Sequence, residues 1–386
     1  MGINKNFSDK VAIVGIGHSE FGKNLEATEL ELACIAIRAA LADAGIEASE
    51  VDAMGSYTWE DTPEFEVARN LGFGEIFSFT QIPYGGGAGA AAVGQTAMSL
   101  AMGLANVGVV WRSRKRSDPA KRVWAKTSAK IDDHWKWSRP NGLTRPVDEI
   151  SILARRYFHE HNVGREALAS IALALRGYAN NNPKAGMYGK PLSRQDYFNA
   201  RMISDPLCLY DNCLETDGAV ALVLVRSKRA KNCLKPPVYI NAFSQGMSKQ
   251  HQLMTDYHSE NPMISSSWST AKNLWRQTDL RPEDVDVAQF YDAFSPLILF
   301  SLEAYGLCKV GEAATFVADG GLCIDGNLPV NTSGGSLSDA YIHGMNLITE
   351  GVRQMRGESV NQVANASTCL ITSCDSTPNG ALLLRN

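Results

Sequence analysis

Short apolar runs alternate with helical patterns along the first part of the chain. Val11 to Ile16 is an uninterrupted apolar run, which is typical of a buried strand. A helix is predicted to follow, because Thr28 and Glu31 have the spacing of a capping box and Gly45 supplies a stop signal. The other predicted elements here are strands at 51–57 and 107–111 and a helix of small residues at 90–105, which follows a glycine-rich turn at Gly85, Gly86, Gly87 and Gly89. Alternation of this kind predicts a layered α/β fold.

The pattern changes between about 112 and 200. This stretch is rich in charges and tryptophan, and it contains two helical patterns, at Ile150–His161 and Arg165–Asn180. Strand-like apolar runs resume at Ala219–Val225 and at Pro237–Phe243. We therefore interpret residues 112–200 as a loop region inserted into the α/β framework.

A weak internal repeat indicates that the framework is duplicated. The segment 44–54 resembles the segment 278–288, and at one constant offset Ile46 matches Leu280, Val51 matches Val285 and Asp52 matches Asp286. A glycine pair follows each copy, at 85–86 and at 334–335. Repetition in this order predicts two similar halves, 1–235 and 236–386, with the functional site between them.

Composition narrows the class of protein. The chain has 386 residues, 45% of them hydrophobic and 20% charged, with a formal net charge of -4, so we expect a globular protein without a nucleic-acid-binding field. The richest basic stretch, Arg112–Arg116 with Lys121 and Arg122, is interpreted either as a solvated loop or as a site for one phosphate-bearing ligand. The apolar runs are too short for a membrane span, and the first ten residues lack the apolar core of a signal peptide.

Cysteines and short motifs exclude several kinds of chemistry. The eight cysteines are scattered, without a CxxC pair or a Cys/His cluster, which argues against a zinc site and a disulfide framework and favours the cytoplasm. Gly15-Ile-Gly17 lacks the third glycine of a dinucleotide-binding fingerprint, and there is no P-loop, HExxH or GxSxG motif. We expect neither a metal nor a resident cofactor.

Three stretches resemble the thiolase superfamily, in particular its sterol-carrier or lipid-transfer type. They are Tyr291-Asp-Ala-Phe-Ser295 where that group has His-Asp-x-Phe-Ser, Asn331-Thr-Ser-Gly-Gly335 for its Asn-x-x-Gly-Gly turn, and Tyr341-Ile-His-Gly344 near its Gly-His-Pro-x-Gly motif. The resemblance implies a thiolase-like fold of two similar halves, layered α/β/α/β/α, with an inserted loop region.

Departures from the family pattern indicate a different reaction. The family's nucleophilic cysteine would fall near Gly86, but no cysteine lies between 83 and 94, so the acyl-enzyme route is missing. Tyr291 and Tyr341 stand at the places of two family histidines and keep a proton-transfer group at each. Two alternatives remain open: a Claisen-type acyltransferase using another cysteine such as Cys374, and a noncatalytic acyl-CoA- or lipid-binding scaffold.

Two acid/base groups without a nucleophile suit retro-aldol cleavage of a β-hydroxyacyl-CoA, which needs a base and a stabilised enolate. Tyr291 and Tyr341 are the predicted catalytic residues. Asn331, Gly334, Gly335 and His343 are the predicted oxyanion or positioning residues. Gly85, Gly86 and Gly87 are expected to leave room for a tertiary β-carbon. Asp292 is expected to orient the site or cap a helix.

A further resemblance, to steroid side-chain aldolases, carries the substrate and partner predictions. It implies cleavage of 17-hydroxy-3-oxo-4-pregnene-20-carboxyl-CoA to androst-4-ene-3,17-dione and propionyl-CoA. It also implies a homodimer that works with an OB-fold acyl-CoA-binding domain of a hydratase-type complex. The aromatic residues proposed as a sterol-binding wall are Tyr57, Trp59, Phe65, Phe73, Phe77 and Phe79.

Overall fold

The computed structural model describes residues 7–57, 62–82, 86, 88–116, 135–249, 259–373 and 379–386. Its strands are β1 (Val11–His18), β2 (Ala53–Tyr57), β3 (Ser78–Ile82), β4 (Val107–Arg114), β5 (Met202–Ser204), β6 (Leu207–Cys208), β7 (Gly218–Arg226), β8 (Val238–Gly246), β9 (Val287–Gln289), β10 (Thr368–Thr372) and β11 (Asn379–Arg385). Its α-helices are α1 (Glu29–Ala44), α2 (Glu64–Leu71), α3 (Ala88–Ala101), α4 (Trp135–Ser138), α5 (Pro146–His161), α6 (Arg165–Asn181), α7 (Arg194–Asn199), α8 (Ser227–Ala230), α9 (Ser266–Leu274), α10 (Pro296–Ala304), α11 (Ala313–Ala318), α12 (Gly335–Ser338) and α13 (Met345–Arg356). Short 3₁₀ helices lie at Ala48–Glu50, Arg139–Asn141, Leu209–Asp211 and Pro282–Asp284.

The sheet order displays the duplication that the sequence predicts. Nine strands pair in the order β3-β2-β4-β7-β1-β8-β11-β10-β9, and β5 and β6 form a separate hairpin. In the first half β2 and β4 are parallel, whereas β4–β7 and β7–β1 are antiparallel. In the second half β9 and β10 are parallel, whereas β10–β11 and β11–β8 are antiparallel. Apart from the extra edge strand β3, the two halves therefore have the same strand order and directions.

The repeated aspartates have the same role in both halves. The Asp52 carboxylate accepts hydrogen bonds from the backbone N–H groups of Asn106 and Val107, with the latter at 2.8 Å. The Asp286 carboxylate accepts from the backbone of Ser367, also at 2.8 Å, and from that of Thr368. Each aspartate thus fixes the start of the strand next to it, β4 in one half and β10 in the other.

Two helices lie between the halves and form the central layer. Helix α3 contacts β2, β3 and β4 of the first half and also β8 and β11 of the second, whereas α13 contacts β9 and β10 as well as β1 and β7. Helix α1 covers the outer face of the first half, and α9 covers β8 and β11. The α/β/α/β/α layering predicted from the sequence is confirmed.

Local signals at α1 give the predicted element. The Thr28 hydroxyl accepts from the Glu31 backbone, the Glu31 carboxylate accepts from the Thr28 backbone, and Gly45 ends the helix at φ +67°. Because this left-handed conformation costs glycine little, the stop lies where the sequence places it.

The basic stretch differs from the loop predicted for it. Strand β4 continues through Arg114, so the insertion does not begin at Arg112. Arg112, Arg114 and Arg116 are only 1%, 4% and 8% exposed, and the solvated-loop interpretation is wrong for them; Lys121 and Arg122 lie outside the described residues.

The described part of the inserted region is mainly helical, with α4 to α7 and the β5–β6 hairpin. Its helix α6 packs against α11 and α12 of the second half, which anchors the region beside the residues that follow β9. Among the helices that the structure describes, none has the length and apolar character of a membrane span.

Candidate active site

The candidate site lies where the first turn of α3 meets the residues before α13. A Cβ atom at Gly89 would lie 3.5 Å from the carbonyl oxygen of His343 and 3.4 Å from Sδ of Met345. These are ordinary van der Waals distances, so the first turn of α3 lies directly beside the residues before α13. Gly86 lies in the turn before α3, whereas Gly85 and Gly87 lie outside the described residues, so their predicted pocket role stays a prediction.

The structure brings the two predicted catalytic tyrosines together. The hydroxyl oxygens of Tyr291 and Tyr341 are 2.5 Å apart, and the rings meet edge to face with centroids 6.0 Å apart. Both side chains are buried. Gly344 makes room for this pair, since a Cβ atom there would lie 2.9 Å from Cδ2 of Tyr291. The two phenols form one buried, hydrogen-bonded pair of titratable groups.

Burial makes ionisation of this unit costly. It raises the pKa of Tyr341 well above the ordinary value of 10, and the nearby Cys213 thiol acts in the same direction. The Arg116 guanidinium opposes this rise in pKa and lies 4.8 Å from the Tyr341 ring centroid. Loss of one proton from the pair would leave a phenolate bonded to a phenol, and Arg116 lies where it stabilises that charge.

His343 lies between two arginines beside the tyrosine pair. Arg112 directs Nε and Nη2 at His343 Nδ1, at 3.2 and 3.0 Å, and Nη2 of Arg116 lies 2.8 Å from Nε2. The imidazole also packs edge to face on Tyr341, with centroids 5.0 Å apart. Burial and the charges of Arg114, Arg112 and Arg116 lower the His343 pKa well below 6.5, so the ring is neutral.

The backbone at His343 is held in an uncommon conformation. Its φ is +49°, a left-handed value that is uncommon for residues other than glycine. Such conformations persist where surrounding contacts enforce them, often at functional sites. Here the contacts on both ring nitrogens fix the side chain next to Tyr341.

In the glycine-containing turn 331–335, the Asn331 side chain forms hydrogen bonds with the protein backbone. Asn331 donates from Nδ2 to the carbonyl of Phe290 at 2.8 Å, and its Oδ1 accepts from the Phe290 N–H at 2.7 Å. Its side-chain amide is thereby committed to the backbone just before Tyr291. The oxyanion role predicted for Asn331 does not fit this geometry, which makes it a positioning residue.

Asp292 fills the N-terminus of α12. Its carboxylate accepts from the N–H groups of Ser336, at 2.8 Å, and Leu337, at 3.2 Å. A Cβ at Gly335 would lie 2.2 Å from Asp292 Oδ2, and the Gly334 N–H donates to the Asn331 carbonyl. Asp292 therefore caps a helix, as one of the predicted alternatives stated, and the absence of a side chain at Gly335 admits its carboxylate. A Cβ atom at Gly334 would instead lie 2.7 Å from Cβ of Ala179. Burial raises the Asp292 pKa to about 6.

Sequence reasoning did not assign the arginines to the site. A usable signal existed, because Arg112, Arg114 and Arg116 alternate with period two directly after the buried run 107–111 and so share one face of an extended strand. Cys213 was also missed. It lies near Tyr341, but burial raises its thiol pKa to about 12, which does not suit a nucleophile. Cys374 lies outside the described residues.

The predicted aromatic wall is not gathered into one surface. Tyr57 is buried with its ring 4.3 Å below the Arg112 guanidinium, whereas Phe65, Phe77 and Phe79 are 67%, 65% and 70% exposed. Phe73 is half-buried, and Trp59 lies outside the described residues. Tyr57 thus belongs to the core, and a sterol-binding role for the exposed rings stays a prediction.

Known proteins share both the sequence and the fold. The models for the thiolase N-terminal domain and the thiolase C-terminal domain-like family match residues 11–228 and 246–381. The chain is 41% identical over 385 residues to a 17-hydroxy-3-oxo-4-pregnene-20-carboxyl-CoA lyase from Mycobacterium tuberculosis, covering 98% of this chain and 99% of that protein. It is also 41% identical over 379 residues to a steroid side-chain-cleaving aldolase from Thermomonospora curvata, covering 97% of each.

A solved Ltp2-ChsH2(DUF35) aldolase has a TM-score of 0.93 and 40% identity, with 98% of both chains covered. These matches extend over both halves and include the segments that carry Tyr291 and Tyr341. The chain belongs to the thiolase family, within the group that contains the steroid side-chain-cleaving aldolases.

Proposed function

We propose that this protein is a carbon–carbon lyase that cleaves the β-hydroxyacyl-CoA 17-hydroxy-3-oxo-4-pregnene-20-carboxyl-CoA to androst-4-ene-3,17-dione and propionyl-CoA. The names and similarity of its relatives support the substrate. The observation that carries the proposal is the buried tyrosine pair with hydroxyl oxygens 2.5 Å apart. It supplies a base and an acid at one point, which retro-aldol cleavage needs.

The proposed reaction begins with the pair one proton short, as a phenolate bonded to a phenol. Tyr291 removes the proton of the substrate's β-hydroxyl, whose oxygen becomes the carbonyl oxygen of the ketone. The electron pair of the Cα–Cβ bond moves to give a thioester enolate. Tyr341 then protonates Cα, forming propionyl-CoA, and a proton shift between the phenols restores the starting state. One proton is taken and one is returned, and no resident cofactor is needed.

The experiment is mass spectrometry of the products formed from this thioester, with and without free CoA. We expect the steroid ketone and propionyl-CoA at equal rates in both samples, with activity that survives iodoacetamide. A 3-oxoacyl-CoA serves as the control substrate for thiolysis. Products that require free CoA and vanish on alkylation would support an acyltransferase and contradict the proposal.

The partners belong to the same proposal. We expect a homodimer that acts with an OB-fold domain in the cytoplasm, supported by the likeness to the Ltp2-ChsH2(DUF35) aldolase. In the described part of the chain β3 is an edge strand of the sheet, and Phe77 and Phe79 are exposed beside and within it. An edge strand with exposed aromatic residues suits pairing with a second polypeptide, such as another copy of the chain.

A further inference from the structure

Beside the tyrosine pair, two arginines contact one histidine, and the hydrogen-bond donors among these three side chains outnumber the acceptors. Arg112, Arg116 and His343 are buried together, and a guanidinium can only donate hydrogen bonds. A neutral imidazole has one N–H and one accepting nitrogen. Since an arginine approaches each ring nitrogen, His343 can accept from only one of them.

The two arginines differ in what they fix. Arg112 directs two donors at Nδ1 and also donates from Nη1 to the Tyr57 carbonyl at 2.6 Å. Two converging donors place the lone pair on Nδ1 and the proton on Nε2. The Nε2–H group then faces Nη2 of Arg116 at 2.8 Å, donor against donor. An oxygen atom accepting from both groups would relieve this conflict.

Arg116 carries a second sign of a missing acceptor. Its side chain is 8% exposed, and within the described residues its Nε is buried without a hydrogen-bond partner. A buried donor left in this way is destabilising, and an anionic ligand oxygen would satisfy it. The guanidinium also covers the Tyr341 ring, so a group bound there is close to the reacting carbons.

We propose that His343 Nε2–H and the Arg116 guanidinium bind the thioester oxygen of the acyl-CoA and hold its charge in the enolate, with Arg112 fixing the imidazole tautomer. This inference rests on the proposed retro-aldol function and names its oxyanion site. As the Cα–Cβ bond breaks, its electron pair forms the Cα=C bond and the carbonyl π pair moves to this oxygen. Protonation of Cα returns the pair. A CoA phosphate is the other source of anionic oxygen, but a site beside the catalytic phenols favours the thioester.

The first test compares Arg116→Gln with Lys115→Gln, the same loss of charge one residue earlier on the opposite side of the extended chain. The substrates are the CoA thioester and the corresponding pantetheine thioester, which lacks the nucleotide phosphates. We expect Arg116→Gln to lower kcat by about 10²–10³-fold on both substrates, and Lys115→Gln to stay within about twofold of wild type. A loss confined to KM for the CoA thioester would assign Arg116 to a phosphate and overturn the proposal, as would equal activity of the two variants.

A second test separates an oxyanion donor from a structural histidine. In His343→Gln the amide nitrogen reaches the place of Nε2, whereas in His343→Asn it does not. Asparagine, however, tolerates the φ of +49° better than glutamine does. The oxyanion role therefore predicts higher kcat in His343→Gln, and a structural role predicts the reverse. The reverse order would overturn the proposal even if Arg116→Gln does not fold.

A third measurement does not depend on turnover. The infrared carbonyl stretch of ¹³C-labelled propionyl-CoA is expected to move to lower frequency on binding to wild-type protein, and to move less with Arg116→Gln and His343→Asn. An equal shift in wild type and both variants would overturn the oxyanion site. Absence of steroid cleavage by wild type, with the shift intact, would instead overturn the proposed function and leave the carbonyl-binding site standing.

Discussion

Tyr291 and Tyr341 stand where the family resemblance places histidines, and a phenol differs from an imidazole as an acid and a base. A phenol ionises near pH 10 in water, and burial moves the pKa of Tyr341 further upward. Its 2.5 Å contact with Tyr291 and the nearby Arg116 charge offset part of that cost. The pair therefore works as a coupled unit whose proton belongs to both residues.

The pair is tested by Tyr291→Phe and Tyr341→Phe. Phenylalanine keeps each buried ring, so the loss is confined to the hydroxyl that transfers the proton. Each variant is expected to lower kcat by about 10²–10⁴-fold, while thermal unfolding stays close to wild type. Tyr305→Phe is the control, because its hydroxyl is also buried but bonds Asn379. Near wild-type turnover in both site variants, with chemistry rate-limiting, would show that these residues are not the acid and base.

A buried carboxyl group gives the chain a pH-dependent stability. Burial, with a contribution from Glu350, raises the Asp339 pKa from 3.8 to about 7. Between these two values the folded state holds a proton that the unfolded chain has lost. Stability contributed by this group is therefore present at low pH and falls as pH rises towards about 7.

Asp339→Asn removes that titration. Urea unfolding from pH 5 to pH 8 is expected to show wild type losing stability relative to the variant, by at most about 1.4 kcal/mol per pH unit, and levelling above pH 7. Asp319→Asn, at an exposed aspartate, is the control: it keeps Asp339, so this variant and wild type are expected to lose stability in parallel. A constant difference between wild type and Asp339→Asn across this range would contradict the prediction.

The helices and strands that depend on neighbouring residues are the ones that the sequence predicts correctly. The capping box at Thr28, the stop at Gly45 and the apolar run at 11–16 are determined by neighbours within a few residues, and the structure confirms each. The sequence repeat around Asp52 and Asp286 corresponds to a shared structural role. Each aspartate accepts hydrogen bonds from two backbone N–H groups at the start of an adjacent strand.

Contacts between residues far apart in the sequence are not predictable from local patterns. The resemblance placed Tyr291 and Tyr341 at the site, but no local pattern shows that residues 50 positions apart share a hydrogen bond. The burial of Arg116 is not predictable from its charge, which suggests solvent exposure, because its contacts with His343 and Tyr341 are long-range. Asn331 was assigned to the substrate because its motif shows proximity to the site and not the direction of its amide.

The paired aspartates yield a prediction about the duplication. Asparagine has one accepting oxygen where aspartate has two, so Asp52→Asn and Asp286→Asn each weaken the hydrogen bonds to the two backbone N–H groups. Each substitution is expected to lower the free energy of unfolding by about 1–3 kcal/mol. Because the sites belong to different halves, the double variant should equal the sum within about 0.5 kcal/mol. Urea unfolding measures this, with the exposed Glu283→Gln as the control. A large cost at one site and none at the other would show that the two caps are not equivalent.

For the whole molecule, the exposed aromatic side chains at the β3 edge of the sheet suit an interface with a second polypeptide. Phe77 and Phe79 lie at the edge strand β3, whereas the equally exposed Phe65 lies on helix α2, outside the sheet. Leaving such rings in water forgoes hydrophobic free energy that a protein interface would supply. We expect one edge to bind a second copy of the chain and the OB-fold partner to bind elsewhere.

The final prediction separates these two associations. Phe79→Lys places a charge on the edge strand and is expected to weaken dimerisation at least tenfold in sedimentation equilibrium, a change of about 1.4 kcal/mol or more. Phe65→Lys, equally exposed but on α2, is the matched control.

Activity is then measured for wild-type dimer with and without the co-expressed OB-fold domain, and full activity is expected only in the complex. Full turnover by the purified homodimer would remove the need for a partner, because every group required for proton transfer and enolate stabilisation would then be shown to act within this chain.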